Sequence, residues 1–217
     1  MSGIGFSNDD AINELINVSN ISISFTQYVK GLDQRELKVI TDLTLDIKEG
    51  EIVAVLGSSG SGKSLLAHAI LGILPSNANL SGTMMYKGEV LTDELKRKLR
   101  GDEIVLIPQS VNFLDPLMKV SDQVIGECKD EAEEKEKRLK QRAVFEKYGL
   151  SEEVDDMYPF QLSGGMARRV LVSTAILTNP KLVIADEPTP GLDEKSVEET
   201  LNHLRQMAAE NVGVLLI

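Results

Sequence analysis

The sequence predicts an α/β fold with a mainly parallel sheet, antiparallel strands on its N-terminal side and a helical subdomain inserted in mid-chain. Three observations carry that prediction. The first is the octapeptide Gly57-Ser58-Ser59-Gly60-Ser61-Gly62-Lys63-Ser64, which fits the G-x-x-x-x-G-K-[ST] phosphate loop at every fixed position. It stands between the apolar run Ile52–Leu56, read as a buried strand, and a helical pattern over Leu65–Leu74. The second is a pair of further apolar runs, Ile104–Ile107 and Lys181–Glu187, of the kind that parallel strands covered on both faces require. The third is the change of character at Pro108-Gln109, after which residues 109–178 offer helical patterns and no strand. The domain boundaries follow: residues 1–108 and 179–217 form the α/β core, and residues 109–178 the helical insertion.

The elements can be justified in chain order. Ser7-Asn8-Asp9-Asp10 are capping residues followed by Ile12, Leu15 and Ile16 at helical spacing, which predicts a short helix over residues 7–18. Ile21, Ile23 and Phe25 alternate with serines, and Leu43, Leu45 and Ile47 with Thr44 and Asp46, so two half-buried strands follow, joined through a turn at Lys30–Asp33. Lys48-Glu49-Gly50-Glu51 is a second turn. Beyond the phosphate loop, Thr83–Lys87 reads as a strand and Asp93–Leu99 as a charged helix. Val120–Cys128, Asp130–Tyr148 and Gly164–Leu177 are helical, with Glu131–Lys140 and Glu152–Asp156 as solvated charge runs. Glu194–Glu210 is an amphipathic helix, and Val212–Ile217 opens a last apolar strand.

The chemistry begins at the glycine-rich octapeptide. Gly57, Gly60 and Gly62 let successive backbone N–H groups converge on one concavity, and the following helix adds the positive end of its dipole, so the loop is built for phosphate. Lys63 would reach the β- and γ-phosphates of a nucleotide as a point charge, while the Ser64 hydroxyl would ligate Mg²⁺. Asp186 ends an apolar strand at its carboxyl edge, where ligands of parallel sheets bind, and would hold Mg²⁺. One residue on, Glu187 is placed to accept the proton of a water attacking the γ-phosphate. Leu162-Ser163-Gly164-Gly165-Met166 supplies a second anion site: Ser163 caps a helix whose first turn, Gly164 and Gly165, leaves its amides bare.

Composition narrows the partners. With 42% hydrophobic and 26% charged residues the chain is ordinary globular protein, and its net charge of −11 points away from nucleic acid. The lone Cys128 offers no disulfide framework and predicts an intracellular chain. No apolar run approaches spanning length, so any connection to a membrane is expected through a partner.

Taken together, phosphate loop, Leu162–Met166 and Asp186-Glu187 resemble the ATP-binding subunits of ABC transporters, a P-loop NTPase family in which Leu-Ser-Gly-Gly-Gln is the signature motif between the phosphate loop and the acidic strand. The resemblance runs from about Ile21 to Ile217. It puts Gln109 at the position of the family's Q-loop glutamine, in contact with Mg²⁺ and the attacking water, and Pro190-Gly191-Leu192-Asp193 at its D-loop, with Asp193 near the nucleotide. Gln109–Val120 and Phe160–Val170 are most similar to the oligopeptide, dipeptide and nickel importers. Such subunits imply ATP and Mg²⁺, a head-to-tail homodimer or paralogous pair, permease subunits in the membrane, an extracellular solute-binding protein acting indirectly, no nucleic acid, and a place on the cytoplasmic face. Each nucleotide would lie between one chain's Gly57–Ser64 and the other's Ser163-Gly164-Gly165. An aromatic plate for adenine would be Phe25, or Tyr28, although Phe25 also continues an apolar strand face. Phe113 and Leu114 are candidate exposed contacts for the permease, with burial in the insertion's own core as the alternative.

Departures from the family pattern matter as well. Met166 stands in place of the signature glutamine, and Gly191 in place of an alanine. The histidine expected beyond the last strand does not follow Leu215-Leu216-Ile217, so a longer protein is expected; His203, inside a helix and expected at the surface, cannot replace it, and His68 reads as structural. Two other functions fit less of the pattern: an ABC ATPase working on DNA or ribosomes, and a nucleotide-gated binding module without turnover.

Overall fold

Ile16, Val18, Ile21 and Ile23 are β-branched and all buried, and they lie in one long strand, β1 (Glu14–Tyr28). In the computed structural model the described residues are 14–28, 34–58, 60–190 and 194–217. They divide into two units, one comprising residues 1–100 with 207–217 and the other residues 101–206.

In the first unit β1 pairs antiparallel with β2 (Gln34–Lys48) on one side and with β4 (Ala78–Tyr86) on the other, and β4 turns back into the short β5 (Glu89–Val90). Ile23 faces Ile40 and Phe25 faces Leu37 across the first pair. The register slips near residue 20, where Asn20 has φ 52°. Gly82 lies against that bulge: its φ is 98°, and a Cβ there would stand 2.5 Å from the Asn20 carbonyl oxygen, so only glycine fits. The sheet's inner face, Leu15, Ile16, Val18, Ile47 and Met84, is buried. A parallel pair, β3 (Ile52–Ala54) with β8 (Gly213–Leu216), belongs to the same unit, as do α1 (Lys63–Leu71) and α2 (Asp93–Leu99), the latter capped by the Thr92 hydroxyl.

The second unit contains a parallel pair, β6 (Ile104–Ile107) with β7 (Leu182–Ala185), in register Ile107 to Ala185. Between them run α3 (Val120–Ile125), α4 (Glu131–Lys147) and α5 (Gly164–Ile176), around a core of Leu114, Val120, Phe145, Val154, Val170 and their neighbours. Phe145 is wholly buried, whereas the outer face of α4 carries i,i+4 ion pairs such as Glu134–Arg138 at 2.9 Å. Each such exposed pair contributes only a few tenths of a kcal/mol, so burial of the apolar face holds this unit together. After β7 comes α6 (Glu194–Ala209), which turns Thr200, Leu204 and Met207, spaced at i, i+4 and i+7, inward.

Six sequence expectations differ from the structure, one of them the helix expected over Val120–Cys128, which ends at Ile125 where Gly126 turns the chain with φ 64°. The helix expected over residues 7–18 is strand from Glu14 onward, because pairing with two neighbouring strands outweighs the local helical spacing of Leu15 and Ile16; residues 7–13 lie outside the described residues. Ile52–Leu56 is not a fully buried strand: β3 stops at Ala54, ends its sheet, exposes alternate residues, and leaves Leu56 92% exposed. The first helix ends at Leu71 rather than Leu74, since the chain turns at Gly72 and the Ile73 N–H closes on His68 O at 2.9 Å. The strand expected over Thr83–Lys87 already begins at Ala78, where it pairs with Phe25, and ends at Tyr86. His203 is half-buried rather than at the surface, edge-on to the Tyr148 ring at 4.2 Å. The turn at Lys30–Asp33 lies outside the described residues, while that at Lys48–Glu51 is present, with Glu51 N–H bonded to Lys48 O at 3.2 Å.

Candidate functional site

In the first unit the phosphate loop follows β3, whose register is carried on by Val55 N–H to Leu216 O at 2.8 Å. A tight turn closes from Ser61 N–H to Ser58 O at 3.1 Å, and Leu65 N–H to Gly62 O at 2.9 Å starts α1. Gly62 has φ 89°, and a Cβ on it would stand 2.4 Å from Val39 Cγ1, so this position accepts no side chain. No side chain caps α1, and Gly57, Ser58, Gly60 and Ser61 are exposed. The Lys63 ammonium donates to the carbonyls of Gly57 and Ser58 at 2.9 and 3.1 Å. An exposed loop with an uncapped helix start and an ammonium held over it fits a phosphate group: the anion would take the bare amides and draw Lys63 off two neutral carbonyls. Ser64 is half-buried on the first turn, and Ser59 lies outside the described residues.

Phe25 is an interior residue of its strand. It lies three residues inside β1, half-buried, paired with Leu37 on one side and Ala78 on the other. Tyr28 is the last residue of β1.

In the second unit, the carboxyl edge of β6 and β7 brings Gln109 to Glu187. The Gln109 Nε2 donates to Glu187 Oε2 at 2.6 Å across 78 positions of sequence, a charge-assisted bond by its length. Asp186 is buried, with its N–H on Ile107 O at 3.0 Å, and Glu187 is half-buried with φ 41°. A left-handed backbone at a non-glycine residue is uncommon and costs of order 1–3 kcal/mol, which tends to be tolerated where function needs it. Asp193 and Gly191 lie outside the described residues.

Also in this unit, Ser163 caps α5, its hydroxyl accepting the Met166 N–H at 3.2 Å. Ser163 and Gly164 are exposed, and a Cβ on Gly164 would meet nothing within 4 Å, so the helix start is open to a ligand. Met166 and Leu162 pack on the helical core, which explains an apolar residue at a position where a polar one was expected. Of the two candidate permease contacts, Phe113 is 70% exposed, whereas Leu114 is buried at 7% in that same core and offers no surface to a partner.

One residue escaped the sequence reading. Arg168 is buried on α5, and its Nη1 donates to Pro108 O at 3.0 Å. The signal was present: Arg168 shares a helical stripe with Leu171, Val172 and Ala175, where a charge is out of place. Two cavities, of about 370 Å³ beside Ser24 and Lys38 and about 420 Å³ beside Arg138 and Leu139, include none of the residues singled out for nucleotide chemistry. Open loops and helix starts make shallow anion sites, so cavity size does not point to them here. Among the described residues no cluster of three metal-ligating side chains occurs, and no helix is long and apolar enough to cross a membrane.

The family model described as ABC transporter matches residues 40–190. The chain is 36% identical over 215 residues to the "Uncharacterized ABC transporter ATP-binding protein YejF" of Escherichia coli (strain K12), and 30% identical over 217 residues to the "Oligopeptide transport ATP-binding protein OppD" of Salmonella typhimurium. Each alignment covers 94% of this chain, which spans 40% of the length of the first relative and 62% of the second. Among solved structures, the "Dimeric Structure of MJ0796, a Bacterial ABC Transporter Cassette" superimposes with a TM-score of 0.74 at 27% identity, covering 93% of this chain and 87% of the other.

Proposed function

Since the chain belongs to the ABC transporter family, we propose that it is the ATP-binding and ATP-hydrolysing subunit of an importer, driving uptake of peptides, nickel or similar small solutes through a membrane permease. The observation that carries the catalytic part is the 2.6 Å bond between Gln109 and Glu187. It puts a carboxylate and an amide, the two groups needed to deprotonate and orient a water, at one strand edge.

In this reading the Gly57–Ser64 amides, Ser59 included, hold the β- and γ-phosphates and Lys63 offsets their charge. Phe25 lies against adenine. Mg²⁺ would be held by Ser64, Asp186 and Gln109, and when bound it neutralises charge on the phosphate oxygens. Glu187 takes a proton from the attacking water as the new O–P bond forms and the bond to the β-phosphate oxygen breaks, leaving ADP and inorganic phosphate. Ser163, Gly164 and Gly165 complete the site of a second copy or a paralogue, with Asp193 beside it, so each chain lends its helix start to its partner's nucleotide. Residues 109–178 form the insertion that meets the permease, with Phe113 as an exposed contact. An oligopeptide transport ATP-binding protein among the relatives supports the importer reading and its peptide branch. On this reading the protein works at the cytoplasmic face of the membrane, with an extracellular solute-binding protein acting indirectly.

The test is phosphate release from ATP by wild type and two variants, with nucleotide affinity measured on the same samples. Lys63→Ala should weaken ATP binding by roughly 10- to 100-fold, the worth of a charged hydrogen-bonding group. Glu187→Gln should bind ATP within a few-fold of wild type and turn over at least about 100-fold more slowly. Normal phosphate release from the Glu187→Gln protein sinks the assignment of the base.

A further inference from the structure

Arg168 is only 6% exposed, no carboxylate pairs with it among the described residues, and its Nε has no hydrogen-bond partner there. Burial pushes its guanidinium below the ordinary arginine value. A buried, half-satisfied cation of this sort is a liability to the fold, and an apolar side chain of similar length would stabilise the helix better. Its presence therefore asks for another reason.

The reason lies in what its Nη1 touches. Ile107, Pro108 and Gln109 are consecutive, and each is tied down. The carbonyl of Ile107 accepts from the Asp186 N–H at 3.0 Å, the carbonyl of Pro108 accepts from Arg168 at 3.0 Å, and the side chain of Gln109 donates to Glu187 at 2.6 Å. Pro108 has no N–H, so its carbonyl is the only polar handle by which its backbone can be held. Arg168 stands on α5, the helix that Ser163 opens. The link thus runs without a gap from the exposed start of α5, through Arg168 and Pro108, to the amide resting on Glu187, whose backbone is already in the left-handed region.

We propose that Arg168 is a positioning residue that fixes the Pro108–Gln109 link to α5, so that the placement of α5 decides whether Gln109 holds or releases the Glu187 carboxylate. This rests on the reading of Glu187 as the base for ATP hydrolysis. When the start of α5 engages a nucleotide on the second copy, its displacement pulls on the Pro108 carbonyl, and the Gln109–Glu187 bond lengthens. Hydrolysis is thereby reserved for the closed pair, which a bond between Gln109 and Glu187 alone would not ensure.

The experiment compares wild type with Arg168→Met, which keeps length and removes every donor, and Arg168→Lys, which keeps a charged donor. For Arg168→Met we expect an unchanged or higher melting temperature, since a buried charge is gone. Backbone hydrogen exchange at Gln109–Asn112 without nucleotide should quicken by about tenfold or more, and kcat should fall by about tenfold, with ATP affinity within roughly threefold. The lysine variant should recover most of both. The inference is overturned if exchange or kcat of the methionine variant stays within twofold of wild type. It is equally overturned if affinity and melting temperature fall together with kcat, the mark of a structural role, or if lysine restores nothing. Glu187→Gln, assayed alongside, separates the two claims: normal turnover there removes the base and this inference with it, while a dead Glu187→Gln beside an unaffected Arg168→Met defeats this inference alone.

Discussion

At Gly62 two constraints meet that are independent of any ligand: a backbone angle of 89° and a valine methyl, Val39 Cγ1, 2.4 Å from where a Cβ would stand. Alanine there must strain the backbone and displace Val39 together. We predict that Gly62→Ala lowers stability by about 1–2 kcal/mol, seen as a melting temperature lower by roughly 2–8 °C, and weakens ATP binding as the loop reopens. The motif alone located this loop, because each fixed position answers to a local steric or electrostatic demand. Other residues were legible only through resemblance or not at all. Nothing local marks Gln109 as a partner for a carboxylate 78 positions away; that depends on β6 and β7 lying side by side. Arg168 was legible as a charge on an apolar stripe, and its partner, a backbone carbonyl, has no sequence signature.

Elements were legible where the pattern was long and the partners local. The helices α2 and α4 and the strands β6 and β7 lie where periodicity and capping residues put them, with Thr92 and Asp130 accepting the first-turn N–H groups of Leu95 and Glu133. The misread strands have one cause, which is pairing at a distance. Leu15 and Ile16 sit at helical spacing, yet β1 finds hydrogen-bond partners in β2 and β4, and those bonds decide its conformation. β3 has an apolar sequence but stands at the end of its sheet, so composition overstated its burial. α6 carries a prediction of its own. His203, packed edge-on against Tyr148, is held below its ordinary value of 6.5 chiefly by burial; Arg169 and Lys147 act in the same direction and Glu199 against it. The unfolded chain therefore binds the proton more readily than the native one, so this contribution is complete above pH 6.5 and is lost as pH falls toward the folded value. We expect the melting temperature to drop between pH 7 and pH 5.5, and His203→Phe, which keeps the ring contact and cannot titrate, to flatten that part of the profile.

For the whole molecule, the proposed function makes one chain half of a machine. Its net charge of −11 opposes a polyanion, so on the proposed function ATP would be captured by local geometry, the loop amides and Lys63, against the long-range field. The exposed start of α5 at Ser163-Gly164 would be a second anion site on the same chain, and a composite nucleotide site between two chains would give it a use. On the proposed function, cooperation between copies would follow from chemistry: the γ-phosphate would add contacts to both, and its loss on hydrolysis would remove them. The most direct test is the rate of phosphate release per protomer at saturating Mg-ATP, followed as the protein is diluted. The account predicts a rate that rises with protein concentration, levels off once the pair is formed, and is lost with Lys63→Ala. A rapid rate per protomer that stays constant through the dilute monomer range, or no hydrolysis at any concentration, would contradict it.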